Sequence, residues 1–180
     1  MIRTVARAAS LAGLVALAAA GALAATPPEA PATSPNTFVE QAIRGDIGAV
    51  ELGKLAAARG SSIGVQNFGQ TLETDASLAA AEAAKVADRL GVLPPGHSYP
   101  SPATAADYAR LAKLHGPAFD RAFVRTMIAE DSRNVRAFQA EATANAGPAS
   151  DLAGKELPTL RQHLQTAELL QREAHEHAAE

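Results

Sequence analysis

The stretch IGVQNFGQTLETDASLAAAEAAKVADRL, residues 63–90, decides the fold class. Along it Phe68, Leu72, Asp75, Ala79, Glu82 and Val86 advance by alternating steps of four and three. That spacing is one face of an α-helix, with Ile63 and Val65 opening the stripe. Ser61 and Ser62 offer an N-cap, and Gly91 falls at the C′ position. Gly64 and Gly69 each weaken a helix by ~1 kcal/mol relative to Ala. Their placement inside the pattern points to close packing against a neighbour rather than to a break.

The same periodicity extends outward in both directions. A first helix opens with Thr37 and Glu40 at capping-box spacing. Phe38, Ala42, Ile43, Ile47, Val50 and Leu55 form its stripe, and Gly60 ends it. Downstream, residues 92–104 (VLPPGHSYPSPAT) read as a Pro-rich crossover, followed by a short helix over residues 104–115. A third long helix spans residues 117–145, with Phe119, Phe123, Met127, Val135 and Phe138 on its stripe. Ser150 caps a fourth, in which Leu152, Leu157, Leu160, Leu164, Ala167 and Leu170 repeat and Pro158 should kink or restart the helix. No segment alternates like a strand. The expected fold is all-α: a ferritin-like four-helix bundle over residues 37–172, its long crossover and short extra helix lying between the second and third long helices. Residues 173–180 form a polar tail.

The N-terminus has a different composition. Arg3 and Arg7 precede an Ala/Leu/Val run over residues 8–20, and Ala22-Leu23-Ala24 supplies a small-x-small cleavage pattern. Residues 1–24 therefore read as a secretory signal peptide. The competing reading, an uncleaved anchor, is opposed by a run that is Ala-rich and shorter than the ~20 strongly apolar residues of a spanning helix. Residues 25–36, Pro/Ala/Thr-rich, read as a disordered linker. Cleavage after Ala24 leaves 156 residues with 14 basic and 19 acidic side chains. This acidic balance opposes a nucleic-acid or anionic-membrane partner. With no cysteine there is neither a lipidated cysteine nor a disulfide, so a periplasmic or secreted product without a stable membrane anchor is expected.

Polar residues interrupt the apolar stripes. Asp75 lies in the middle of the second helix's line, Asp131 and Asn134 on the third's, and His163 on the fourth's; Glu51 sits at the edge of the first. A buried carboxylate needs a partner. One reading gathers Glu51, Asp75, Asp131 and His163 on a divalent or iron-type metal ion, a harder cation than a thiolate site takes. The other makes them a hydrogen-bonded layer, for instance Asp131 with His163, or leaves them at stripe edges in water. His97 and Tyr99 belong to the crossover. His115 sits at a helix end where the dipole suits it, and His175 and His177 lie two apart in the tail, off a common face. No nucleophile elbow, phosphate loop or zinc motif is present.

Four pieces carry a family resemblance: FVEQAIRGDIGAVELGKLAAARGSS, NFGQTLETDASLA, GPAFDRAFVRTMIAEDSRNVRAFQAEA and LPTLRQHLQTAELL. Together they resemble the bacterial family called domain of unknown function 4142, exported proteins with a ferritin-like bundle. The resemblance implies export and that fold, and no reaction. Family members carry an Asp-His pair in the second helix, a His in the third and a His after the LP motif. Here those positions read Asp75-Ala76, Asp131 and His163. The Glu-x-x-His pairs of di-iron bundles are absent from the mature bundle as well. The resulting expectation is a non-enzymatic exported bundle acting by binding or in envelope stress. A metal-binding, redox-active bundle is the alternative, and a protein partner docking on the Pro-rich crossover is a third reading.

Overall fold

The computed structural model describes residues 33–92, 100–144 and 146–176. Residues 1–32, which hold the expected signal peptide and most of the expected linker, lie outside them, as do residues 93–99 with His97 and Tyr99, Asn145 and residues 177–180. The described residues form five helices and no strand: α1 (Pro35–Arg59), α2 (Ile63–Leu90), α3 (Pro102–Leu111), α4 (Gly116–Ala144) and α5 (Pro148–Glu176). None of these helices is long and apolar enough to cross a membrane.

Several helix ends differ from the sequence reading. Ser34, not Thr37, caps α1: its side chain accepts from the Thr37 N–H, and Pro35 enters the first turn, where its missing donor costs nothing. The other end of α1 stops at Gly60 as expected, and Ser62 caps α2 while Gly91 closes it in the left-handed region at φ 64°. Ser101 caps α3, which stops at Leu111; His115 instead precedes the first turn of α4, where its carbonyl accepts from the Phe119 N–H. Pro158 does not restart α5, which runs unbroken for 29 residues to Glu176. Both Pro158 and the residue one turn before it, Gly154, are exposed, so the carbonyl left without a donor faces solvent.

Two apolar clusters give the helix directions. One joins Phe38 and Ile43 of α1, Val86 of α2, Phe138 of α4, and Leu152 and Leu157 of α5. The other joins Leu52 and Leu55 of α1, Phe68 and Leu72 of α2, Phe119, Phe123 and Met127 of α4, and Ala167 of α5. Hence α1 and α5 run one way, while α2 and α4 run the other. The chain from α2 to α4 must travel the length of the helices, ~40 Å for 28 residues at 1.5 Å each.

Small residues set the spacings. The α1 and α2 backbones meet at Gly53 and Gly69, where a Cβ built on Gly69 would lie 2.5 Å from Ala57 N and 2.7 Å from Gly53 O. Thr104 of α3 packs on Gly48 of α1, and Arg110 donates to Thr126 of α4 at 2.7 Å, so α3 is fastened to both neighbours.

One carboxylate fastens α4 to the α1–α2 turn. Asp120 accepts from Ser61 N, Ser61 Oγ and Ser62 N, each at 2.8 Å, and is 8% exposed. Nothing in the helical pattern singles it out, because its partners are mostly backbone groups far away in sequence. Asp120→Ala should lower unfolding free energy by about 1.5–3 kcal/mol, since it removes three charge-assisted hydrogen bonds between a buried carboxylate and the turn. Urea unfolding followed by circular dichroism measures it; a loss below about 0.5 kcal/mol would contradict the assignment.

Candidate functional site

Between the two apolar clusters the core changes character. On α1 the gap falls between Ile43 and Leu52, on α2 between Leu72 and Ala83, on α4 between Met127 and Phe138, and on α5 between Leu157 and Ala167. All four long helices there line one cavity of about 410 Å³. Asp46 faces it from α1, Asp75 and Glu82 from α2, Glu130 and Asp131 from α4, and Glu156 and His163 from α5. Apolar wall lies between these groups, including Leu52, Leu72, Met127 and Phe138.

Some of the acids are already paired. His163 Nε2 lies 2.9 Å from Asp75 Oδ2, and the ring also packs edge-on near Phe68. Glu82 accepts from Lys85 at 2.7 Å and from Lys155 at 3.0 Å. Those hydrogen bonds and charges hold its carboxyl down, to a pKa of about 2. Glu130 pairs with Arg133 at 3.0 Å, yet burial still raises it above the usual range.

Three acids are not so served. Asp46 Oδ2, Asp131 Oδ2 and Glu156 Oε1 are buried without a hydrogen-bond partner. Asp131 is only 2% exposed. Its pKa is pushed up to about 8, first by burial and then by the charge of Glu130. Glu156 rises to about 7, chiefly by burial, with Lys155 opposing and Glu82 adding to the rise. Asp46 rises well above the usual carboxylate range through burial and the neighbouring Glu156. Burying an unpaired ionised carboxylate costs several kcal/mol, so each stays protonated or recruits a positive charge.

The four residues singled out from sequence separate into three situations. Asp75 and His163 meet as a hydrogen-bonded pair. Asp131 lines the same cavity, but the imidazole's partner is Asp75, not Asp131 as the example pairing had it. Glu51 is exposed on α1 and does not line the cavity, because the inward face carries Asp46 and Leu52 instead. Among the described residues, no three His, Cys, Asp or Glu are placed to share one metal ion. A ferritin-type two-metal centre therefore does not fit these donors. Asn134, read as inward, does line the cavity.

Asp46, Glu130 and Glu156 were missed. For Asp46 a signal existed: Phe38, Ala42 and Asp46 advance by fours along α1. Glu156 sits beside the buried Leu157, and the spacing of that stripe alone does not reveal that it also turns inward.

An all-α domain with an acidic chamber across its middle is thus the class that fold and site define. The chain belongs to the family described as Domain of unknown function (DUF4142), which it matches over residues 20–170. Among solved structures it is similar to the crystal structure of a DUF305 fragment from Deinococcus radiodurans, with a TM-score of 0.66 at 22% identity. That match covers 81% of this chain and 99% of the other. At such identity the likeness concerns the helical fold alone. No curated protein matches the chain.

Proposed function

We propose that this protein is an exported, non-enzymatic binding protein with a ferritin-like four-helix topology, and that its acidic chamber holds a small cation. The observation carrying the reading is the set of three carboxylates, the buried Asp131 and the half-buried Asp46 and Glu156, each with one buried oxygen that has no hydrogen bond, in a shared cavity. A cation there would supply the missing partners and stabilise the ionised forms. The parallel run of α2 and α4, joined by a connection along the helices, supports the ferritin-like topology. Export is supported by the residue pattern of the leader, and it has its own test. Mass spectrometry of protein recovered from the envelope or medium should give a chain starting at Ala25; a chain retaining residues 1–24 would contradict cleavage.

The binding reading is tested by melting the purified protein at pH 8 with a panel of metal and organic ammonium ions. At least one should raise the melting temperature by about 5 °C or more at saturating concentration, by linkage. The shift should vanish in the triple variant Asp46→Asn, Asp131→Asn, Glu156→Gln. A panel that leaves the wild type unmoved would overturn the reading.

A further inference from the structure

The three uncommitted carboxylates restrict the kind of cation. They come from three different helices, α1, α4 and α5; Asp46 and Glu156 are neighbours, and among the described residues no third His, Asp or Glu joins them within reach of one metal ion. A single metal ion needs several donors within bonds of roughly 2 Å, a condition this arrangement does not meet. The cavity, at about 410 Å³, lies in the range of small-molecule sites. Its wall between the acids is largely aliphatic, a surface from which a bare or hydrated ion gains nothing but a methylene chain gains burial.

A quaternary ammonium fits less well, because it calls for a cage of aromatic faces. Here the two lining rings, Phe38 and Phe138, pack edge-to-face on each other at 4.9 Å. An ammonium–carboxylate pair already exists in the same wall, between Lys155 and Glu82 at 3.0 Å. The buried Asp131, 2% exposed and with one oxygen unpartnered, faces this space and supplies a site for a second such pair.

We infer that the chamber takes a linear aliphatic diamine or polyamine, its ammonium groups pairing with Asp46, Asp131 and Glu156 and its methylenes lying on Leu52, Leu72 and Met127. This rests on the cation-binding reading above and names its ligand class. Binding would recruit the ammonium charges that the carboxylates lack, at a cost in ordering a flexible chain that the apolar wall offsets.

Isothermal titration of the purified protein at pH 8 with 1,4-diaminobutane, spermidine, butylamine, Mn²⁺ and Zn²⁺ tests it. A diamine or triamine should bind at least about tenfold more tightly than butylamine. Asp131→Asn and Glu156→Gln should each weaken that binding by about tenfold or more while helical circular dichroism is retained. Equal affinity for butylamine and the longer amines, or no amine binding, would overturn the inference. If the metal ions bind through Asp131 while the amines do not, the ligand class falls and the cation chamber stands. If none binds, both fall. Should a variant not fold, the comparison of wild-type affinities for long amines and butylamine decides alone.

Discussion

Replacing Asp131 with Asn should raise the melting temperature at pH 8 by about 10 °C and change it little at pH 4. The sign follows from linkage. The folded-state pKa of Asp131 is raised to about 8, so the folded protein holds a proton that the unfolded chain releases near pH 4. Its favourable contribution is complete below the unfolded value and is lost as pH rises from about 4 through about 8. Glu156, raised to about 7, and Asp46, raised in the same direction, add to the trend. The protein without ligand should therefore be more stable at pH 5 than at pH 8. Asn keeps the shape and removes the charge, which removes roughly a few kcal/mol of penalty at pH 8. Calorimetry of both proteins from pH 4 to pH 8 measures this. A variant less stable than wild type at pH 8 would mean that Asp131 is already satisfied.

Gly69→Ala should destabilise by about 2–4 kcal/mol, although Ala is the better helix former by about 1 kcal/mol. The added Cβ would sit 2.5 Å from Ala57 N and 2.7 Å from Gly53 O, atoms of a facing helix that cannot turn aside as a side chain can. The α1 and α2 backbones would have to separate, loosening the packing of Phe68 and Leu72 in the second apolar cluster. Gly154→Ala is the matched control. Its Cβ would meet nothing within 4 Å on an exposed helix face. It should stabilise by about 0.5–1 kcal/mol. Urea denaturation of both variants separates packing from propensity, and a Gly69→Ala protein as stable as wild type would remove the close-contact explanation.

These residues also show how far the sequence could be read. The spacing of Phe68, Leu72 and Val86 placed the period of α2, but Ile63 is exposed and the buried face beyond Leu72 runs through Ala76, Ala83 and Ala87, one position round from Asp75 and Glu82, which lie at its edge. Gly69 was legible as a packing residue from its place inside that spacing. The pairing of His163 with Asp75 was not, because the choice between Asp75 and Asp131 depends on helix rotation and on which helices adjoin. Glu51 and Asp46 illustrate the same difficulty on α1: a shift of part of a turn puts one in water and the other in the chamber. Asp120 was invisible because its partners, mainly the backbone amides of Ser61 and Ser62, join only through the tertiary fold. Helix ends moved by a few residues where a capping side chain competed with another, as Ser34 did with Thr37. The Asp131 carboxyl then acquired its properties from burial among four helices, which no stretch of one helix encodes.

A carbon-13 NMR titration of the Asp131 side-chain carboxyl, with and without saturating 1,4-diaminobutane, reads the acidic chamber at its most buried group. The acidic chamber predicts a midpoint near 8 in the free protein, moving to lower pH when the ammonium groups pair with the carboxylates. A midpoint near 4 in the free protein, the ordinary value for Asp, unmoved by the amine or by any metal ion of the panel, would contradict it.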